Sequence, residues 1–399
     1  MRKYLLLGVC LAAAASGAGV AQAADASSVT SGLSLKINGW VGFLAGLSIS
    51  RTDNDNLDRD YDFASGGRLQ FDVKQVTDSG LEYGGRIRFN NVDRKNGVTV
   101  DRTYLYVKGG FGTVTFGDAP FAIGDIGYVY AHDTLNSKLG LGAGWGDGLD
   151  GKFNLFAPSD TFYAIDPTYG IGGLSGKDTK IKYTSPSFSG LSFAIDFTPV
   201  AGGKTAAATG RGTGGATGDH SGPGGVNDLT NDATTRYENV VTGGINYANT
   251  FDGTFVRVAG SAGYGNGVST NHDYEAYSLG GQVGFANGIA ASVVWVHFAS
   301  TFRADKAIDS ITGDLSYAFG PFVASVGYAY TTAEKGNLLR SSFTNGFDLQ
   351  TNHSVVGSLL YNVAPGLNGF TELSYERNEF RAGRDFEATS LTSGLAISF

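Results

Sequence analysis

The sequence predicts a transmembrane β-barrel of about sixteen antiparallel up-and-down strands, and three observations in its 399 residues predict it. Large apolar residues alternate with small, hydroxyl or charged ones at a period of two along most of the chain, which disfavours helices. Short turn-rich tracts alternate with long polar connections. The composition combines 61 Gly, 26 Phe and 20 Tyr with only 8 Pro, and the aromatics are too many and too regularly spaced for a disordered chain.

At the N-terminus, Arg2 and Lys3 precede an apolar run from Tyr4 to Ala15 and a small-x-small tract, Ala21-Gln22-Ala23. This reads as a secretory signal peptide, residues 1–23, with the mature chain, residues 24–399, starting at Ala24. The sole Cys, Cys10, and the sole Met, Met1, both lie in the removed segment, so the mature protein is expected to have no disulfide and no thiolate metal site. Lipoprotein processing at Cys10 is disfavoured by the short apolar run ahead of it. Losing Arg2 and Lys3 takes the basic count from 29 to 27 against 37 acids, so the net charge moves from -8 to -10. That balance disfavours nucleic acid as a partner. No later apolar stretch is long enough for a spanning helix. The mean hydropathy of -0.07 looks soluble, but a barrel needs only alternate residues to be apolar.

Along the chain, Leu69, Phe71 and Val73 oppose Arg68, Gln70, Asp72 and Lys74; Leu191, Phe193, Ile195 and Phe197 oppose Ser192, Ala194, Asp196 and Thr198. Further strands carry Ile311, Leu315, Tyr317 and Phe319, then Val355, Leu359, Tyr361 and Val363; the last alternates Leu391, Leu395, Ile397 and Phe399 with Thr392, Gly394, Ala396 and Ser398. Many strands end in Phe or Tyr, as interfacial girdles require. The segment from Ile289 to Phe298 is apolar on both faces, as expected where a loop packs against the lumen wall. Short turns fall at Thr77 to Gly80, Gly109 to Gly112, Ser185 to Gly190, Thr250 to Gly253, Asn287-Gly288, Gly320-Pro321 and Pro365 to Gly369. Asp252-Gly253 and Asn287-Gly288 are strong hairpin signals. These turns join fourteen strands, and one more at each end makes about sixteen, with about eighteen as the alternative if one hairpin is missed. Both termini then lie on the periplasmic side. The long connections, expected outside the cell, run Arg51 to Ala64, Asn90 to Val100, Asp118 to Asp178, Val200 to Thr235, Gly265 to Asp273, Thr301 to Ala307, Ala333 to Gln350 and Phe380 to Phe386. A soluble β-sandwich also alternates, but this length would need several domains and no linker separates them.

The tract from Gly109 through Phe111-Gly112-Thr113 to Asp118 resembles the trimeric general porins of Gram-negative bacteria, the alphaproteobacterial type above all. In that family a Phe-Gly-Thr turn and strand precede a pore-constricting third loop. The similarity of layout covers nearly the whole mature chain. It implies a sixteen-stranded barrel, a homotrimer, and a long third loop folded into the lumen of an outer-membrane channel through which ions and small hydrophilic solutes diffuse. The chain lacks the Pro-Glu-Phe-Gly-Gly tract of enteric porins, so the likeness is to the broader family. The terminal Phe399 resembles the C-terminal aromatic of Gram-negative outer-membrane proteins, which implies an assembly signal read by the barrel assembly machinery. The other partners this implies are outer-membrane lipids and lipopolysaccharide.

The third loop, Asp118 to Asp178, carries Asp125, Asp133, Asp147 and Asp150, the acids expected at a constriction, together with Asp160 and Asp166. The wall facing them follows from parity. With Tyr83, Ile87 and Phe89 towards lipid, Arg86 and Arg88 face the lumen, and the same rule puts Lys36, Arg68 and Arg102 inside. These residues come from neighbouring strands and form one cationic patch. A patch facing acids across a narrow pore makes a transverse field that favours small polar solutes. The bland reading is that the arginines pair with Asp72, Glu82 or loop carboxylates.

Enzymatic motifs are weak. Thr198 to Thr205 falls one residue short of a phosphate-binding loop and no helix follows. His132, His220, His272, His297 and His353 are scattered without metal-ligand spacing. No cofactor is expected. Asp53, Asp55, Asp58 and Asp60 offer a weak Ca²⁺ alternative, against the reading of a solvated acidic loop, since the Gly and terminal Glu of an EF-hand loop are missing. Two alternatives to a diffusion pore remain. One is a substrate-selective channel, with Tyr128, Tyr130, Trp145, Phe153, Phe156 and Tyr163 as a stacking slide. The other is a barrel phospholipase, for which His297 with Ser292 is the nearest candidate pair.

Overall fold

The computed structural model describes residues 32–52, 61–91, 99–126, 129, 178–201, 237–268, 272–300, 305–337, 347–383 and 385–399. Their strands are β1 (Ser34–Arg51), β2 (Tyr61–Val76), β3 (Glu82–Asn91), β4 (Thr99–Gly109), β5 (Gly112–Asp118), β6 (Thr179–Thr184), β7 (Leu191–Ala201) and β8 (Tyr237–Phe251). The second half adds β9 (Thr254–Gly267), β10 (Tyr274–Gly284), β11 (Ile289–Ser300), β12 (Ile308–Phe319), β13 (Phe322–Ala333), β14 (Phe347–Ala364), β15 (Leu367–Ala382) and β16 (Phe386–Ser398). One short helix, α1 (Ala122–Ile126), follows β5. The strands pair antiparallel in chain order and β1 closes on β16, so sixteen strands make a closed up-and-down barrel.

Each of the seven expected short turns joins a strand pair. Asp252 and Gly253, at φ of 47° and 81°, supply the two left-handed residues that a tight two-residue hairpin needs. The long connections prove shorter than their polarity suggests. β2 begins at Tyr61, β9 runs on to Gly267 and β14 begins at Phe347, and most of the other expected loops lose a residue or more at an edge, whereas Thr301 to Ala307 is the gap between β11 and β12 as expected. Ladder pairing extends the strands there: Leu47 pairs with Tyr61 and Phe347 with Ala382, whatever the local composition.

The alternation resolves into two chemically distinct faces. Leu35, Ile37, Val41, Phe43 and Leu47 of β1 all point outward and are exposed, as are Leu279, Val293, Trp295, Leu315, Val326 and Leu395 around the ring. An apolar surface of this extent is far larger than a soluble monomer leaves uncovered, and it suits lipid. The inner face carries Ser, Thr, Asn, Gly and charged residues, among them Asp196, Thr242, Ser278, Asp314, Asn352 and Glu376.

The seam where the barrel closes is fixed at the last residue. The Gly39 amide donates to the Phe399 carbonyl at 2.9 Å, and the Phe399 amide donates to the Gly39 carbonyl at 3.0 Å. The Phe399 ring lies over Gly39: a Cβ there would sit 2.7 Å from the ring and 2.4 Å from the Arg68 carbonyl oxygen. Only glycine leaves room for this approach. Gly39→Val is therefore expected to reduce the fraction of protein that keeps a folded, fast-migrating form on unheated SDS gels, and deleting Phe399 should reduce it further by removing both seam bonds. Wild-type amounts of the heat-modifiable form in both variants would show that the seam tolerates their loss.

Candidate functional site in the barrel lumen

Antiparallel register builds one cationic patch on the inner wall of β2 to β4. Arg88 stands beside Arg102, Arg86 beside Tyr104, and Arg68 lies diagonal to Arg88 through Asn90. The skipped residue between Val100 and Arg102 keeps Val100 on the lipid face while Arg102 stays inside. Arg86 donates through Nε to Asp72 Oδ1 at 2.6 Å and lies over the Tyr104 ring at 5.7 Å. The other Asp72 oxygen accepts from Asn38 Nδ2 at 2.8 Å and Gln70 Nε2 at 2.7 Å. Arg68 lies 6.0 Å from the centre of the Trp40 ring, and Arg88 and Arg102 are buried. Lys36 stands opposite Asp72 on the same inner face.

The start of the third loop runs along the inner wall. α1 packs against β6, β7 and β8, Ile123 is fully buried, and Val129 seats on Gly280 of β10. Polar contacts fix this root. Asp196 Oδ2 accepts from the Ala122 amide at 2.6 Å and from the Thr242 hydroxyl at 2.7 Å. Lys180 Nζ donates to the Ala119 and Asp178 carbonyls at 3.0 and 2.6 Å, and the Thr179 hydroxyl donates to Asp118 at 2.5 Å. Lys182 forms a close ion pair with Asp125, which also accepts from Thr184 Oγ1 at 3.2 Å. Asp125 also lies close enough to act electrostatically on Tyr104, as do Arg86, Arg102 and Asp72. The loop root and the arginine patch thus share one electrostatic neighbourhood.

Beyond the root the lumen wall is apolar. Val294, Val296 and Phe298 of β11 point inward and form a buried cluster with Ile123, Val129, Val240, Tyr274, Ile308 and Leu349. This explains why β11 is apolar on both faces: one faces lipid, the other packs under the loop. Further round, Ser292 donates to Asp314 at 2.6 Å, and Asn352, Glu376 and Asn378 form a buried hydrogen-bonded set.

Among the expected site residues, Lys36, Arg68, Arg86, Arg88 and Arg102 share the inner wall, and Asp125 lies on the loop root. Asp133, Asp147 and Asp150 of the third loop lie outside the described residues, as do the loop aromatics and the first-loop acids Asp53, Asp55, Asp58 and Asp60. Sequence reasoning misses Lys180 and Lys182, although their even positions on either side of Ile181 carry the parity signal. The pair weighed for lipid hydrolysis is split. His297 faces outward, stacked on Trp295 and bonded to Asp309 at 2.9 Å, while Ser292 faces the lumen and is bonded to Asp314. Opposite faces of one strand separate the two, so no nucleophile and base meet there.

A family model described as Gram-negative porin matches residues 10–381. No curated protein sequence is matched by the chain. Among solved structures, the anion-selective porin from Comamonas acidovorans is similar at a TM-score of 0.58 and 13% identity, over 92% of this chain and 100% of that one. The outer membrane channel DcaP of Acinetobacter baumannii follows at 0.57 and 12%, over 92% and 98%. OmpT of Vibrio cholerae, in its trimer form, stands at 0.57 and 13%, over 92% and 100%. At these identities the structures support the shared barrel, and the family match extends over most of the sequence. The chain belongs to the Gram-negative porin family, the water-filled β-barrel channels of the outer membrane.

Proposed function

We propose that this porin works as a homotrimer whose channel narrows between the arginine wall of β2 to β4 and the third loop. The observation that carries this reading is the clustering of Arg68, Arg86, Arg88 and Arg102 on one inner patch together with a loop root that runs inside the barrel and sets Asp125 against Lys182 of β6, within electrostatic reach of Tyr104 beside Arg86. Charges on both sides of a narrow water path set up a transverse field, which admits ions and small polar solutes and penalises apolar ones. The Asp72 carboxylate tempers the patch by pairing with Arg86, so the wall is balanced rather than uniformly basic.

Strand length supports the trimer. β5 and β6 have 7 and 6 residues, below the about 9–11 that a tilted strand needs to cross the hydrocarbon core. A neighbouring copy covering this stretch would shield it from lipid. In this reading, residues 1–23 direct secretion, the assembly machinery reads Phe399, and lipopolysaccharide surrounds the remaining outer face. An oligomer that survives SDS and dissociates on heating is the expected result, and a monomer in every mild detergent would contradict it.

The constriction is tested by reversal potential across a planar bilayer under a salt gradient. Replacing Arg86 and Arg88 together by Gln should shift the preference toward cations, and Asp72→Asn, which leaves Arg86 without that carboxylate, should shift it toward anions. A unit charge about 4 Å from a passing ion is worth about 1 kcal/mol in water, on the order of fivefold in permeability ratio per charge. Both shifts should shrink at about 1 M salt, where the screening length falls to about 3 Å. Unchanged reversal potentials in both variants would remove these residues from the narrow part of the channel.

A further inference from the structure

We propose that Asp196 and Gly280 are the positioning residues of the channel: together they set where the third loop enters the lumen. The proposal rests on the pore reading above and adds the means by which the constriction is held open to one width.

The third loop leaves β5 and must turn into the lumen at once, which exposes the amides of its first residues to a wall made of side chains. Asp196 meets this need from the opposite side. It projects inward from β7, is 1% exposed, and accepts the first amide of α1 on the same oxygen that accepts the Thr242 hydroxyl of β8. A carboxylate this deeply buried is unfavourable unless it is hydrogen-bonded and charge-compensated. Lys180 and Lys182 stand on the adjacent inner face of β6, Lys180 within electrostatic reach of Asp196, and Lys182 holds the other end of α1 through Asp125. The short helix is therefore held at both ends by polar groups of the wall, and Ile123 on it enters the apolar cluster.

The second hold lies three strands further on. Val129 sits in a notch at Gly280, where an added Cβ would lie 2.8 Å from the Val129 Cβ and 3.1 Å from the Val293 carbonyl oxygen. Any side chain at position 280 must displace the loop, because the strand behind it is locked by its ladder bonds to β9 and β11. Two holds of different chemistry, one polar and one apolar, fix the loop root along the inner wall between β6 and β10. With only one of them, the root could swing about the other.

Single-channel recording in planar bilayers tests this on full-length protein that migrates as a folded barrel on unheated gels. Asp196→Ala and Gly280→Val should each replace the single conductance level with several sub-levels and lower the voltage at which the channel closes. Asp196→Asn, which retains an oxygen to accept the Ala122 amide, should stay near wild type in conductance pattern, which a general loss of stability at this position would not produce. If Asp196→Ala fails to assemble, Gly280→Val carries the test, since it leaves the buried charges untouched. Wild-type conductance levels and closing voltage in Gly280→Val, or in a folded Asp196→Ala barrel, would overturn the proposal. Absence of channels from the wild-type protein would instead overturn the pore reading on which it rests.

Discussion

Every other feature of this molecule depends on the closure of the backbone hydrogen-bond ladder in a medium that offers no substitute for it. In hydrocarbon an unpaired amide or carbonyl is several kcal/mol unfavourable, so a sheet that crosses the membrane must have no edge. Sixteen strands meet that demand only if the first and the last find each other, and here they do so down to Gly39 and Phe399, with an aromatic ring seated where a side chain would otherwise stand. The seam joins the two sequence ends of the described barrel, so it is also the most non-local contact in the fold, the kind that forms late and slowly.

Closure converts alternation into chemistry. Once the ladder is complete, each strand has no freedom to rotate, and the odd positions of β1, β2 and β3 are committed to lipid while the even ones are committed to water. Arg68, Arg86, Arg88 and Arg102 are thereby brought within one patch without any local sequence motif joining them. The same commitment places lysines and a buried aspartate on β6 and β7, where they meet the incoming loop.

The lumen is not a uniformly polar tube. Its β2 to β4 side is ionic and internally paired, with Asp72 holding Arg86, Asn38 and Gln70 in one network. From β8 to β14 it is apolar where the loop root packs. A water path confined between an ionic wall and a loop held on the far side experiences the charges of the first while the second supplies steric definition. Pairing limits the net field, since a salt-bridged arginine presents a dipole to passing ions more than a free charge.

What the sequence alone determined is whatever obeys a local period: the fold class, a barrel of about sixteen strands, seven turns, the side that most strand residues face, and the cationic wall that follows from parity; the closure of the ladder settled sixteen over eighteen. These were legible because lipid on one side and water on the other impose a residue-by-residue rule that needs no knowledge of partners. Parity could also have named Lys180 and Lys182. Only the tertiary structure decided that Arg86 pairs with Asp72, that Lys182 meets Asp125, that Asp196 receives the Ala122 amide across 74 positions of sequence, and that Val129 seats on Gly280. The doubly apolar face of β11 found its cause only when Val294 and Val296 were seen beneath the loop root. Such contacts depend on register, on which strands close against each other, and on the path of a loop that leaves the ladder. Each is a sum over distant parts of the chain, and no window of sequence contains it.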